Sequence, residues 1–227
     1  MNNSKYYCVC KQSFRKKYYF INHKNNCEVF KLHKQVENIM IVAHPDDESI
    51  FGGHLINDNW KIICVTNASN KIRCREFENV MNMCGALYEI WDFKDHRDYN
   101  FDGKENILSN KLKTEFETNN YKMIVTHNPT GDYGHLQHKL LCEIISKIAN
   151  KNVLHYFNLT NDGLNIAKNI RKHTKNIYHI KNNNTLSIKE IKNKEKLLSC
   201  YHSQKDVINH PEIFLYIEHG IINKVIL

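Results

Sequence analysis

Proline (3) and glycine (8) are scarce among the 227 residues, and neither gathers into a linker. No segment approaches the run of about 18 uncharged apolar residues that a membrane helix needs. The start, from Met1 to Lys5, lacks the apolar core of a secretory signal. Internal repeats and long low-complexity tracts are also missing. These absences predict a soluble, cytoplasmic protein with no transmembrane segment. Acidic residues are in short supply too, 24 against 32 Lys and Arg, for a formal net charge of +8. Taken whole, that charge suggests an anionic partner such as nucleic acid, a membrane surface or a phosphorylated substrate. The deficit is local, however. Residues 1–36 carry eight basic groups and one acid, Glu28, which leaves 24 basic and 23 acidic residues for 37–227. This step in composition predicts two units, 1–36 and 37–227.

With 41% hydrophobic residues the chain can bury a real core, which excludes wholesale disorder. Of its eight cysteines, Cys64, Cys74, Cys84, Cys142 and Cys200 are scattered singly through apolar segments, the pattern of reduced, packed thiols. From residue 38 onward, short β-branched runs alternate with amphipathic stretches. Strands are predicted at 38–43, 61–66, 88–93, 122–127, 152–157 and 177–180. Helices are predicted at 50–56, 73–84, 105–117, 135–149 and 188–199. This alternation predicts a Rossmann-like α/β fold, a mostly parallel sheet with helices on both faces. Ligands of such sheets bind beyond the carboxyl ends of the strands, so functional residues are expected after the first and fourth strands.

Both places hold reactive residues. The first strand runs into Ala43-His44-Pro45-Asp46-Asp47-Glu48, and the fourth into His127-Asn128-Pro129-Thr130-Gly131-Asp132-Tyr133-Gly134-His135-Leu136-Gln137-His138. A His and two carboxylates on one tip, with two His three apart at the start of a helix, can converge on one metal. Zn2+ accepts imidazole and carboxylate, and three protein ligands leave a position open for water. The pattern is not His-Glu-x-x-His, which disfavours a zinc-protease helix, and no Gly-x-Gly-x-x-Gly follows the first strand. Taken alone, either motif also reads as an N-cap with surface His.

Together they resemble the PIG-L/LmbE family of zinc-dependent N-deacetylases. The resemblance covers about residues 38–205. It rests on Ala-His-Pro-Asp-Asp-Glu (43–48), Arg73-x-x-Glu76, Tyr-Gly-His-x-x-His (133–138) and Tyr-His-Ser-Gln (201–204). It implies a catalytic Zn2+ held by His44, Asp47 and His138, with Asp46 as general base. His135 would lie beside the reacting amide, and Tyr133 would polarise the substrate carbonyl. A protonated His135 is expected to donate to the oxyanion or the leaving amine. Arg73 and Asp95 are the expected substrate contacts, and His127 is expected to shape the pocket. Gln137 departs from the Asp or Asn that many relatives carry between the two His. The implied activity is removal of the N-acetyl group from an N-acetylglucosamine-type amino sugar or its conjugate. The competing expectation is a weakened deacetylase-like adaptor.

That adaptor reading draws on residues 1–36. Cys8-x-Cys10, Phe14, Phe20, His23 and Cys27 resemble a C2H2-type zinc finger whose last ligand is Cys and whose first knuckle is one residue short. A unit this small needs a staple to fold, so a second, structural Zn2+ on Cys8, Cys10, His23 and Cys27 is expected. The finger's partner would be nucleic acid or protein. The alternative is a basic tail with chance cysteines.

Overall fold

A computed structural model describes residues 6–7, 13–14, 19, 22–23, 26–27, 36–96, 100–157, 186–209 and 221–222. Two short strands, β1 (Tyr6–Tyr7) and β2 (Ser13–Phe14), pair antiparallel near the N-terminus. Residues 19, 22, 23 and 26 are helical, and the Asn26 side chain donates to the Asn22 carbonyl at 2.9 Å. Cys8 and Cys10, half of the expected finger ligands, lie outside the described residues, as does the expected strand at 177–180.

The main sheet uses β3 (Asn38–Val42), β4 (Trp60–Thr66), β5 (Leu87–Phe93), β6 (Met123–Thr126), β7 (Leu154–Phe157) and β8 (Ile221–Ile222) in the order β5-β4-β3-β6-β7-β8. The first five are mutually parallel, and β8 adds antiparallel to β7. Alternation within β3 separates two cores. Met40 and Val42 face one side with Phe51, Phe77 and Leu197, while Ile39, Ile41 and Ala43 face the other with Leu108, Leu141 and Ile145. The helices divide accordingly. α1 (Asp47–Gly52), α2 (Lys71–Cys84) and α5 (Ile188–Leu198) cover the first face, and α3 (Glu105–Thr118) and α4 (Leu136–Ile148) the second. A 3-10 turn (His202–Gln204) and the one-turn α6 (Lys205–Ile208) follow. The expected α/β fold, with helices on both faces of a mostly parallel sheet, is therefore the one observed.

Local chemistry sets the helix ends. The Asn70 side chain accepts from the backbone N–H of Ile72 and Arg73, which starts α2 and fixes the direction of Arg73. Gly85 closes α2 at φ 74°, and its N–H returns to the Met81 carbonyl. The first helix differs from expectation, spanning 47–52 rather than 50–56. Its hydrogen bonds begin inside the motif, where Ser49 and Ile50 N–H both reach the Asp46 carbonyl at 2.9 Å. The strand order reverses between β3 and β6, and both motifs leave the sheet at that crevice.

Candidate metal centre

Three donor atoms meet in the crevice. His44 Nδ1 lies 3.2 Å from His138 Nε2 and 3.2 Å from Asp47 Oδ2, and His138 Nε2 lies 3.3 Å from Asp47 Oδ2. A tetrahedral ion with bonds of about 2.0–2.1 Å has ligand-to-ligand edges of about 3.3–3.4 Å. All three residues are buried.

The outward-facing nitrogens say which tautomers are present. His44 Nε2 is 2.9 Å from the Gln137 side-chain oxygen, and His138 Nδ1 is 2.8 Å from Asp132 Oδ2. Both acceptors take N–H from those outer atoms, and a ring in its neutral form then presents a lone pair inward. Burial works against a charged His44, but hydrogen bonds to Asp47 and Asp95 raise its pKa to about 10. Two imidazole lone pairs and a carboxylate oxygen at 3.2–3.3 Å repel one another unless a cation lies between them. The donor set therefore fits a divalent metal.

His127 lies beside this triangle without joining it. Its ring stacks on His138 with centroids 3.8 Å apart, and its Nδ1 shares Asp132 Oδ2 at 2.5 Å. Burial disfavours a charged His127, whereas the Asp132 and Asp47 carboxylates favour one. The Ala43 N–H settles the matter by donating to His127 Nε2 at 3.0 Å, which requires a lone pair there and keeps the ring neutral. That lone pair is used, so Asp47, His127 and His138, although close enough to form a metal group, are the weaker set. Asp132 sits in a turn built from positive-φ backbone, Gly131 at 73° and Asp132 at 62°. A Cβ on Gly131 would fall 2.5 Å from the His135 carbonyl oxygen. The Asn128 side-chain oxygen closes this turn by accepting from the backbone N–H of Thr130 and Asp132.

The structure brings Asp46, His135 and Arg73 to the same place. Burial, reinforced by the Asp47 charge, raises Asp46 well above the ordinary carboxylate range against the pull of Arg73 and His44. Arg73 donates to Asp46 Oδ2 at 3.1 Å and to the Pro45 carbonyl at 2.6 Å; Asp46 Oδ1 accepts no hydrogen bond among the described residues. His135 packs edge-on to His44, centroids 4.8 Å apart, and its buried Nδ1 has no hydrogen-bond partner among the described residues. Burial, with His138 and His44 adding to it, lowers His135 to about 3. This direction works against the protonated ring expected from the sequence. The Tyr133 ring lies 5.9 Å from that of His135 and 37% of the residue is exposed, at the mouth of the site. Asp95 accepts from Arg73 at 3.3 Å and from Asn67 at 2.8 Å and lies 3.4 Å from His44 Nε2, so it and Arg73 both belong to the wall around the donors.

Gln137, the expected departure, is built into the site. Its oxygen meets His44, and its amide donates to the Lys94 carbonyl at 2.8 Å. Sequence reasoning did not assign Asp132 or Glu48 a role. A lone Asp after Gly131 reads as a turn residue, and the Glu of the first motif reads as a first-turn acid.

The α/β fold is like that of deacetylases of known structure, and residues 39–149 match the PIG-L family, described as GlcNAc-PI de-N-acetylase. Among individual proteins, an uncharacterized protein of Acanthamoeba polyphaga mimivirus is 38% identical over 141 residues. That match covers 54% of this chain and 62% of the relative's own length, under two thirds of it. The A40926 pseudoaglycone deacetylase Dbv21 superimposes with a TM-score of 0.60 over 85% of this chain and 98% of that one, at 12% identity. The 4-carboxy-2-hydroxymuconate hydratase GalB of Pseudomonas putida KT2440 gives a TM-score of 0.55 at 13% identity, covering 79% of this chain and 82% of that one. The zinc-inhibited form of the teicoplanin deacetylase Orf2 also gives 0.55, at 9% identity, over 79% and 89% of the two chains. At such identities these likenesses concern the fold.

Proposed function

We propose that this chain is a zinc-dependent N-deacetylase that releases acetate from an N-acetylglucosamine-type amino sugar or its conjugate. The observation that carries the reading is the triangle of His44 Nδ1, Asp47 Oδ2 and His138 Nε2, with the outer nitrogen of each ring held by a buried acceptor. His44, Asp47 and His138 would hold the zinc, which would supply an activated water and polarisation of the amide carbonyl. Asp46 would accept the water proton on Oδ1, and burial, which raises its pKa, strengthens it as a base. Arg73 holds the other oxygen in place. His135, a neutral imidazole, donates a hydrogen bond to the oxyanion as it forms, with the Tyr133 hydroxyl beside it. Asp46 then returns its proton to the leaving amine, and Arg73 and Asp95 edge the sugar subsite.

The cytoplasm is the proposed compartment. Cys64, Cys74, Cys84, Cys142 and Cys200 form no disulfide among the described residues, as a reducing environment keeps them, and among those residues no helix is long and apolar enough to cross a membrane. Residues 1–36 are proposed to carry a structural zinc on Cys8, Cys10, His23 and Cys27 and to recruit a nucleic acid or protein partner. The antiparallel β1–β2 pair ahead of the helical residues 19, 22, 23 and 26 is the observation in favour of that part. Two zinc per full chain, falling to one when 1–34 is deleted, is the expected result; an unchanged count overturns the finger.

Acetate release across a panel of N-acetylglucosamine conjugates, with and without chelator, tests the activity. Asp46→Asn is expected to abolish turnover and keep the metal, and His44→Ala to lose the metal. Full activity in Asp46→Asn overturns the mechanism. The fold also hosts a hydratase, so water addition without acetate release in the same panel would move the reading to that chemistry.

A further inference from the structure

Asp46 has a backbone conformation that L residues rarely adopt, φ 113° and ψ −34°. Such a residue persists only where its surroundings over-determine it. Its carbonyl accepts from Ser49 and Ile50, and Arg73 holds its carboxylate. Its N–H, buried with the residue, needs a partner of its own. That partner is Glu48, whose side chain folds back so that Oε2 accepts the Asp46 N–H at 3.2 Å. Glu48 is in turn fixed through Oε1, which accepts the Ser49 hydroxyl at 2.5 Å and the Tyr201 hydroxyl at 2.7 Å. Tyr201 is 153 residues away in sequence and fully buried, as is Glu48. A buried carboxylate is unfavourable as core filling, and here three donors converge on it. Two residues on, the Ser203 N–H and hydroxyl donate to Glu76 at 2.8 and 2.5 Å. The Tyr-His-Ser segment thus grips the acid of the first motif and the acid of Arg73-x-x-Glu76 together.

We infer that Glu48 is a positioning residue that holds Asp46 in its positive-φ conformation, and that Tyr201 is the strut that holds Glu48. A side chain displaced by about 1 Å from the reacting atoms loses on the order of 100-fold in rate, so this backbone setting governs the use of Asp46. The kinetic part of the inference rests on the proposed role of Asp46 as base; the conformational part does not.

Glu48→Met keeps the volume and removes the acceptor. Glu48→Gln can turn its oxygen to the Asp46 N–H and its amide to the Tyr201 and Ser49 hydroxyls. In crystals of the zinc-loaded variants, Glu48→Met is expected to let Asp46 leave its positive φ, and Glu48→Gln to keep it. With any conjugate the native enzyme deacetylates, Glu48→Met is expected to lose about 100-fold in kcat with KM within about threefold and one catalytic zinc retained. Glu48→Gln is expected to recover most of that kcat. Asp46 unmoved in Glu48→Met, or Glu48→Gln as impaired as Glu48→Met, overturns the inference. If Glu48→Met does not fold, Tyr201→Phe gives the same decision: the Glu48 carboxylate is expected to swing away from the Asp46 N–H, and an unmoved carboxylate with native kcat overturns the strut. Should the native protein release no acetate from any conjugate, the deacetylase reading fails, and the conformation of Asp46 in the variants still decides this one.

Discussion

Asp132 Oδ2 holds Nδ1 of His138 at 2.8 Å and so turns Nε2 of that ring toward the donor triangle. The same oxygen binds His127, so one buried carboxylate sets two rings. Burial pushes Asp132 up, but the His127 imidazole and then His138 bring it below its usual range, and it stays ionised. Asp132→Asn is expected to weaken zinc binding by about 10–100-fold, read by competition with a chromophoric chelator. Unchanged affinity would mean that His138 needs no outer partner.

Gln137 performs the matching task for His44. Gln137→Leu removes the acceptor at Nε2 and frees the Lys94 carbonyl. The expected loss in zinc affinity is about 10-fold, at the lower end for outer-shell partners because Asp95 remains 3.4 Å from the same nitrogen.

His127 tests the boundary of the metal site. His127→Phe leaves the Ala43 N–H without its acceptor, a loss expected at about 1–3 kcal/mol in denaturant unfolding. The catalytic zinc should remain at one per chain. Its disappearance would make His127 a ligand.

Lys194 predicts a pH dependence of stability. Its side chain is fully buried under α1, with Nζ 3.5 Å from the Phe51 carbonyl. Burial lowers its pKa from 10.5 to about 7. Between those values the unfolded chain binds a proton that the folded chain does not, so stability should rise with pH from about 7 toward 10.5. Below about 7 both states hold the proton and the folded state carries the full penalty. Lys194→Met is expected to raise stability at pH 6 by about 1–3 kcal/mol and to flatten that rise, both measurable by urea unfolding across pH.

Much of this was legible in the residues, and for identifiable reasons. The strands from 38 to 157 announce themselves because two-sided burial demands continuous β-branched runs, as Ile39, Met40, Ile41 and Val42 show. The two motifs were legible as a candidate site because they follow the adjacent parallel strands β3 and β6, whereas the assignment of His44, Asp47 and His138 as donors came from the family resemblance. What stayed hidden were pairings with no local pattern. Nothing near Glu48 announces Tyr201, and nothing near Asp132 announces that one oxygen serves two rings. The early start of α1 was hidden for a related reason: it depends on the positive φ of Asp46, a conformation that sequence propensity assigns to glycine. Gln137 was visible only as a deviation, because its value depends on where His44 Nε2 points.

The distance along the chain between donors has a consequence for folding. His44 and His138 are separated by 94 residues and meet only because β3 and β6 are neighbours in the sheet. Parallel pairing of this kind is non-local and costs loop-closure entropy before any contact rewards it. An ion can therefore find its three donors only in a chain whose central strands have already joined. It cannot nucleate the fold, but by binding the folded form alone it deepens the native basin. Each tenfold excess of free ion over its dissociation constant adds about 1.4 kcal/mol to that basin.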